Sequence, residues 1–367
     1  MQNTPFTIAR LDAFPLRVPF DDLVTGPRAS AQTWREFDMV LVRAETTDGV
    51  VGWGECFAYH CLRPVLTAVQ DMMFPHVLGR EIHSIPDLNI ELQFKFHIFG
   101  GRHGIGMYAL SGLDIALWDI AAKRSGQSLA EFIGGPRRGS VSAYASLVRY
   151  GEVGPVEEVA AKAIGEGYRH IKLHEIAYEP IAAGRRVAGP DVKLMTDVNC
   201  AWSPAEAEVI LPRLKELDLY WAEEPIFPPE DFAGIAKLHR FGVPLAAGEN
   251  TCTALEFIRL SDVVTYPQPS VTKVGGISEF LKVVAHARAS GKAVMPHSPY
   301  FGPGYWATLQ LVALLSEPSL FEFLYVTTQA WIDPAIPLPK AGRLTVPRAP
   351  GLGFTPDSAL MDRFKPR

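Results

Sequence analysis

Cysteine is scarce in this chain of 367 residues. The four present, Cys56, Cys61, Cys200 and Cys252, form no CxxC pair and no Cys/His zinc spacing, so neither a disulfide framework nor a thiolate metal site is indicated. Free thiols are the expectation, and with them a cytoplasmic setting. Basic residues are not in excess either. Lys plus Arg number 35 against 40 Asp plus Glu, a net charge of −5. That balance offers no electrostatic footprint for nucleic acid or for an anionic membrane. No run reaches the roughly 18 uninterrupted apolar residues of a membrane span. Residues 1–20 lack the basic-then-apolar layout of a signal peptide. These absences leave a small-molecule partner.

Composition is otherwise that of a globular protein, 48% apolar and 20% charged. The length suits about two domains at roughly 150 residues each. Glycine (31) and proline (30) are somewhat abundant without a Gly-X-Y period, which reads as many loops. Residues 6–18 and 38–46 alternate apolar and polar as half-buried strands do. Thr47-Asp48-Gly49 is a hairpin turn signal, and 50–55 resumes the strand pattern. Helical spacing follows over 62–78 and 110–125, and Gly134-Gly135-Pro136 breaks the chain. The expected boundary puts an α+β domain at 1–135, joined by the tail 345–367, and a second domain at 136–344.

In that second domain eight short apolar runs (141–147, 170–174, 193–199, 220–225, 244–250, 263–270, 293–299 and 319–326) alternate with helix-length segments such as 156–167, 204–217, 232–241, 278–290 and 306–315. Eight alternations predict parallel βαβ units closed into a barrel. An open doubly wound sheet should carry a glycine-rich phosphate turn after its first strand, and none is present.

The acids at the run ends carry the chemistry. Asp197, Glu223 and Glu249 follow one another at intervals of 26 residues, one βα unit each. Three carboxylates would then meet at the C-terminal face of a barrel, where active sites lie. They would repel one another unless they shared a cation, and hard oxygen donors in an open site suit Mg2+. Lys172 and His174, spaced i, i+2, point to one face at the second strand. His297 ends the seventh run and Glu322 lies in the eighth. A cation nearby would lower the pKa of Lys172 and make its amine a competent base.

These pieces resemble the enolase superfamily, in particular the mandelate racemase and muconate lactonizing enzyme group. The resemblance rests on GWGE at 52–55, SGLDIALWDIAAK at 111–123, KLH at 172–174, DVN at 197–199, EEP at 223–225, GEN at 248–250, QP with GG at 268–276, and PH at 296–297. It implies a capping α+β domain over a modified (β/α)7β TIM barrel. It also implies one Mg2+ held by Asp197, Glu223 and Glu249, and removal of the proton α to a carboxylate to give a metal-stabilised enediolate. Lys172 carries over as the first lysine of a KxK motif, His297 as the acid/base of the opposite face, and Glu322 as the acid that hydrogen-bonds substrate. Asn199, Lys273, Tyr59 and Tyr300 are expected at the substrate.

Two departures matter. His174 replaces the second lysine, so the base on that face is His174 or Lys172. Ser270 stands where racemase-type members carry an aspartate that orients the histidine, and lactonizing-type members a lysine. The cap loops 19–28 and 55–60, with Phe20, Phe57, Tyr59 and His60, should close the pocket, joined by Tyr300, Phe301 and Tyr305. The expected activity is a racemase or epimerase of a small carboxylic acid. The alternatives are a dehydratase of a hydroxy acid or sugar acid, and a noncatalytic barrel that binds a small acid. The family also implies a homo-oligomer.

Overall fold

The computed structural model describes residues 4–24, 35–135 and 138–366. Residues 25–28 of the expected cap loop, and Pro136 of the chain break, lie outside them. The cap begins with an antiparallel meander of β1 (Phe6–Asp21), β2 (Glu36–Thr46) and β3 (Val51–Phe57). The Gly49 amide donates to Thr46 O at 2.9 Å in the turn between β2 and β3. The helix Gly104–Arg124 lies across β3. It is apolar on all sides because it is buried on all sides, with most of its side chains in the core. The glycines of GWGE allow the approach. A Cβ on Gly54 would stand 1.8 Å from Gly112 O, and one on Gly52 would stand 2.2 Å from Ala116 O. Helix backbone therefore rests directly on strand backbone.

Seven parallel strands form the barrel wall: β4 (Ser140–Ser146), β5 (His170–Leu173), β6 (Lys193–Asp197), β7 (Trp221–Glu223), β8 (Leu245–Ala247), β9 (Tyr266–Pro267) and β10 (Phe321–Leu324). The order is β9-β8-β7-β6-β5-β4-β10, with each pair parallel. The gap between β9 and β10 is filled by 293–298. This segment forms no regular strand, but Met295 and His297 donate to Pro267 O (3.0 Å) and Pro269 O (3.3 Å). On the other side the Ser298 amide donates to Glu322 Oε2 at 2.8 Å. Pro296 and Pro299 lack the N–H that a ladder needs. With seven helices between the eight staves, the architecture is the (β/α)7β barrel with its N-terminal cap.

Side chains alternate along each stave and build two layers inside the barrel. Tyr144, Met195, Trp221, Ala246, Met295 and Leu320 pack together as an apolar plug. Two residues further along the same staves stand Ser146, Asp197, Glu223, His297 and Glu322. The plug is thus the floor of a polar layer. After Arg343–Thr345, which pairs antiparallel with β4, the chain runs over the cap. The Leu352 amide donates to Asp119 Oδ1 at 2.7 Å, and the ring of Phe354 lies 6.1 Å from Trp53.

Glu55 ends GWGE at the seam between cap and barrel. Its Oε2 accepts from the Gly304 amide at 2.8 Å, while Oε1 has no partner among the described residues. Burial pushes its carboxyl from 4.5 up to about 8, against the pull of the Gly304 and Gly302 amides. A carboxyl with a raised folded pKa stabilises fully below pH 4.5, and that contribution is lost as pH rises through 8. Glu55→Gln is therefore expected to gain on the native protein by a few kcal/mol between those limits. Denaturant melts at pH 5 and pH 9 check this. Parallel pH profiles would clear Glu55 of the effect.

Candidate active site

The polar layer is a network of buried charge. Lys172, fully buried at the end of β5, places Nζ 2.7 Å from Glu223 Oε1, 2.8 Å from Glu322 Oε1 and 3.6 Å from Asp197 Oδ2. Nζ also lies 5.6 Å from the centre of the Tyr144 ring below it. Glu223 Oε2 accepts from Trp221 Nε1 (2.8 Å) and Gln268 Nε2 (2.7 Å). Glu322 accepts from Ser146 Oγ and the Ser298 amide, both at 2.8 Å. The Asp197 and Glu223 Cα positions are register partners on neighbouring strands. Glu249 lies two residues beyond β8, past Gly248. Gly248 has φ 147°, and a Cβ there would press on Phe257 and Gln268 O at 2.7 and 2.8 Å. The glycine of GEN thus turns Glu249 toward the site.

Burial and partners divide these groups. Burial raises Asp197, but Lys172 and His174 outweigh it and hold the acid far below its usual range. Burial also opposes the charge of Glu249, yet Lys273 and His297 bring it down to about 2. Glu223 is pushed well up by burial, with Asp197 and Glu322 adding to the push against Lys172. Burial works against the Lys172 ammonium too, but Glu223 and Glu322 hold its proton. The lowering of Lys172 expected from the sequence depends on a cation beside it; without one, the ammonium is the counter-ion of these acids.

Above this layer opens a cavity of about 470 Å³. His174, His297, Glu249, Asn199, Lys273 and Tyr59 line it, so the structure gathers six of the predicted residues there. Lys172, Asp197, Glu223 and Glu322 lie beneath rather than on its wall. His174 Nδ1 contacts Leu147 O, and its Nε2 is 3.3 Å from Asp197 Oδ2. His297 Nε2 is 2.8 Å from Glu249 Oε2. Lys273 Nζ lies 4.6 Å from the centre of the Phe57 ring, 5.9 Å from that of Tyr108, and 3.9 Å from Glu249 Oε2.

Four aromatic expectations are corrected. Phe20, Tyr300, Phe301 and Tyr305 do not line the cavity; all four are buried in the core. Phe301 packs on Phe37 at 4.7 Å and Tyr305 on Phe321 at 4.7 Å. Tyr300 turns its hydroxyl inward to Ser270. Arg149 went unread in the sequence, and it lines the cavity. Its Nη2 donates to Asn199 Oδ1 at 2.7 Å and its Nε to His174 O at 2.7 Å. A single arginine in a loop after a strand carries no pattern. Its position three residues past β4, on the active face, was the available signal.

Two family models cover the chain. The mandelate racemase / muconate lactonizing enzyme N-terminal domain matches residues 20–134, and the enolase C-terminal domain-like family matches residues 156–360. The chain belongs to the mandelate racemase/muconate lactonizing enzyme family. An arabinonate dehydratase of Saccharolobus solfataricus is 30% identical over 343 residues, covering 89% of this chain and 91% of the relative. A D-galactarolactone cycloisomerase of Agrobacterium fabrum is 32% identical over 352 residues, with 89% and 91% covered. The crystal structure of an L-talarate dehydratase from Polaromonas sp., complexed with Mg and L-glucarate, superposes with a TM-score of 0.83 at 25% identity, covering 99% of this chain and 98% of that one. This member of the family is accordingly an isomerase or hydro-lyase of the enolase superfamily.

The family implies Mg2+, and the donor set fits it in kind: three carboxylates from neighbouring staves, all hard oxygen. Their arrangement is a different matter. Among the described residues no three Asp, Glu, His or Cys side chains converge closely enough to hold an ion as they stand. Basic groups occupy them instead. A cation among Asp197, Glu223 and Glu249 has to replace contacts that Lys172, His174 and His297 now make.

Proposed function

We propose that this protein takes the α-proton from a hydroxylated carboxylate of sugar-acid type and expels the β-oxygen, as a dehydratase. One observation carries the reading. His174 Nδ1 rests on a backbone carbonyl, Leu147 O. A carbonyl accepts only, so Nδ1 holds a proton. Nε2 faces Asp197 Oδ2 at 3.3 Å; with that carboxylate taken up in holding an ion, the neutral ring would keep its lone pair on Nε2 and could receive the α-proton. His297 is set oppositely, with Nε2 against the ionised Glu249, which requires a proton on that nitrogen.

His174 then removes the α-proton, and the C–H electron pair becomes the new C=C bond. The β-carbon–oxygen bond breaks while His297 Nε2 gives its proton to the departing oxygen. Water leaves, and the enol settles as a 2-keto acid. Lys172 keeps Glu223 and Glu322 in place below. Arg149, Asn199 and Lys273 offer donors along the substrate, and Tyr59 and Phe57 cover it. We assign Asp197, Glu223 and Glu249 as the residues that would hold Mg2+. When bound, the ion would offset the charge that develops on the substrate carboxylate. The substrates in the names of the sequence relatives support a sugar acid here.

Racemisation is the second reading, favoured by the presence of two histidines on one cavity. Incubation with arabinonate and D-galactonate in D2O separates the two. Keto-acid formation supports dehydration. Recovered substrate with an inverted centre and one deuterium establishes racemisation instead. His297→Asn is expected to lower water loss by about 10²–10⁴-fold while α-exchange continues, and His174→Asn to abolish both. Binding with no exchange would favour the noncatalytic barrel. A homo-oligomer is proposed as well, because exposed Phe94 and Leu255 line one cleft with Ile90 and Ile258.

A further inference from the structure

Where aspartate orients the histidine in racemase-type members, this chain has two hydroxyls. Ser270 Oγ lies 3.1 Å from His297 Nδ1, and Tyr300 Oη lies 3.4 Å from the same nitrogen. The two hydroxyls are themselves in hydrogen-bond contact. All three side chains are buried. The exchange is not neutral in chemistry. A carboxylate accepts only, so it fixes a proton on Nδ1 and leaves a lone pair on Nε2 in the neutral ring. A hydroxyl can donate as well. Burial keeps the phenol protonated. With Tyr300 Oη donating to Ser270 Oγ, the serine hydrogen is left for Nδ1.

We infer that Ser270 and Tyr300 act as a relayed pair of positioning residues that, by offering a donor to Nδ1, keep the proton of neutral His297 on Nε2, facing the cavity, where Glu249 Oε2 lies 2.8 Å away. The pair turns a position that serves a base in racemase-type members into one that serves a proton donor. This deepens the dehydratase reading, on which its consequence for turnover rests. It also assigns Tyr300 a task away from the substrate.

The test has two readouts. The first needs no substrate. Full-length protein labelled with 15N-histidine is examined with Mg2+ present, at one fixed pH where the ring is neutral, in long-range 1H–15N spectra. His297 is identified by its loss in His297→Asn. The native ring is expected as the Nε2–H tautomer. Ser270→Asp should move the proton to Nδ1, Ser270→Ala and Tyr300→Phe should mix the tautomers, and Ser270→Thr should restore the native pattern. The second readout uses arabinonate and D-galactonate. Ser270→Ala is expected to lower kcat for water loss by roughly 10- to 100-fold, part of what a general acid contributes, with KM and α-exchange nearly unchanged.

A native Nδ1–H tautomer, or a Ser270→Asp ring still protonated on Nε2, overturns the inference. If the tautomers behave as expected while the native protein forms no keto acid from either substrate, the positioning pair stands and the dehydratase reading falls.

Discussion

Lys172→Met is expected to destabilise the metal-free protein by about 3–5 kcal/mol, the usual cost of leaving a buried charge without its partner. The ammonium is the sole side-chain cation that the described residues place against both Glu223 and Glu322, at 2.7 and 2.8 Å. Methionine fills much of the same volume, so the loss is electrostatic rather than a cavity. Three acids then face one another over the Tyr144–Trp221 plug, with His174 beside Asp197 and His297 near Glu322 as basic neighbours. Two further results should accompany the loss. Added Mg2+ should raise the melting temperature of the variant more than that of the native protein, since a divalent ion can replace the missing charge. Lys172→Met/Glu322→Gln should recover part of the deficit, because it removes one of the stranded anions. Urea melts with and without Mg2+ measure both. A variant as stable as the native protein would mean that the acids are already protonated and need no counter-ion.

Glu223→Gln should do the reverse, leaving the fold nearly intact and removing function. Burial already pushes this carboxyl toward its neutral form, so a neutral amide of the same shape should change metal-free stability by no more than about 2 kcal/mol. Turnover should fall by at least about 10³-fold, the scale of losing one electrostatic partner of a developing charge. Stabilisation by Mg2+, about 2.7 kcal/mol at a hundredfold excess over Kd, should vanish with it. Calorimetric titration with Mg2+ and the D2O assay follow the two losses separately. Intact binding and intact turnover would remove Glu223 from the site.

Much of this site was legible because two periodicities coincide. The interval of 26 residues marks one βα unit, and the period of two along a strand keeps Asp197 and Glu223 on the same side as Met195 and Trp221. Both are local consequences of backbone geometry, so one chain reveals them. The contacts around His297 were less accessible. Ser270 was flagged by what it was not, an aspartate, but its hydroxyl partner could not be read, since Tyr300 sits in a run of aromatics that fits a pocket as well as a core. Arg149 was silent for the same reason: its task depends on where a loop returns. The seventh stave reads as a strand from its short apolar run, yet Pro296 and Pro299 leave it with a few isolated hydrogen bonds. The charge of Lys172 depends on partners 25 to 150 residues away in the chain, which spacing alone does not weigh.

The two-storey barrel interior also decides which changes in chain length the protein can survive. Deleting one residue from Lys193–Asp197 or Trp221–Glu223 would exchange the storeys, carrying an apolar side chain up to the substrate and a carboxylate down into the plug. The same deletion in a connecting loop moves neither. Insertions and deletions among relatives should therefore collect between the staves. New reactions on this scaffold are open to substitution on the upper storey and to lengthened loops, and closed to any shift of frame within a strand.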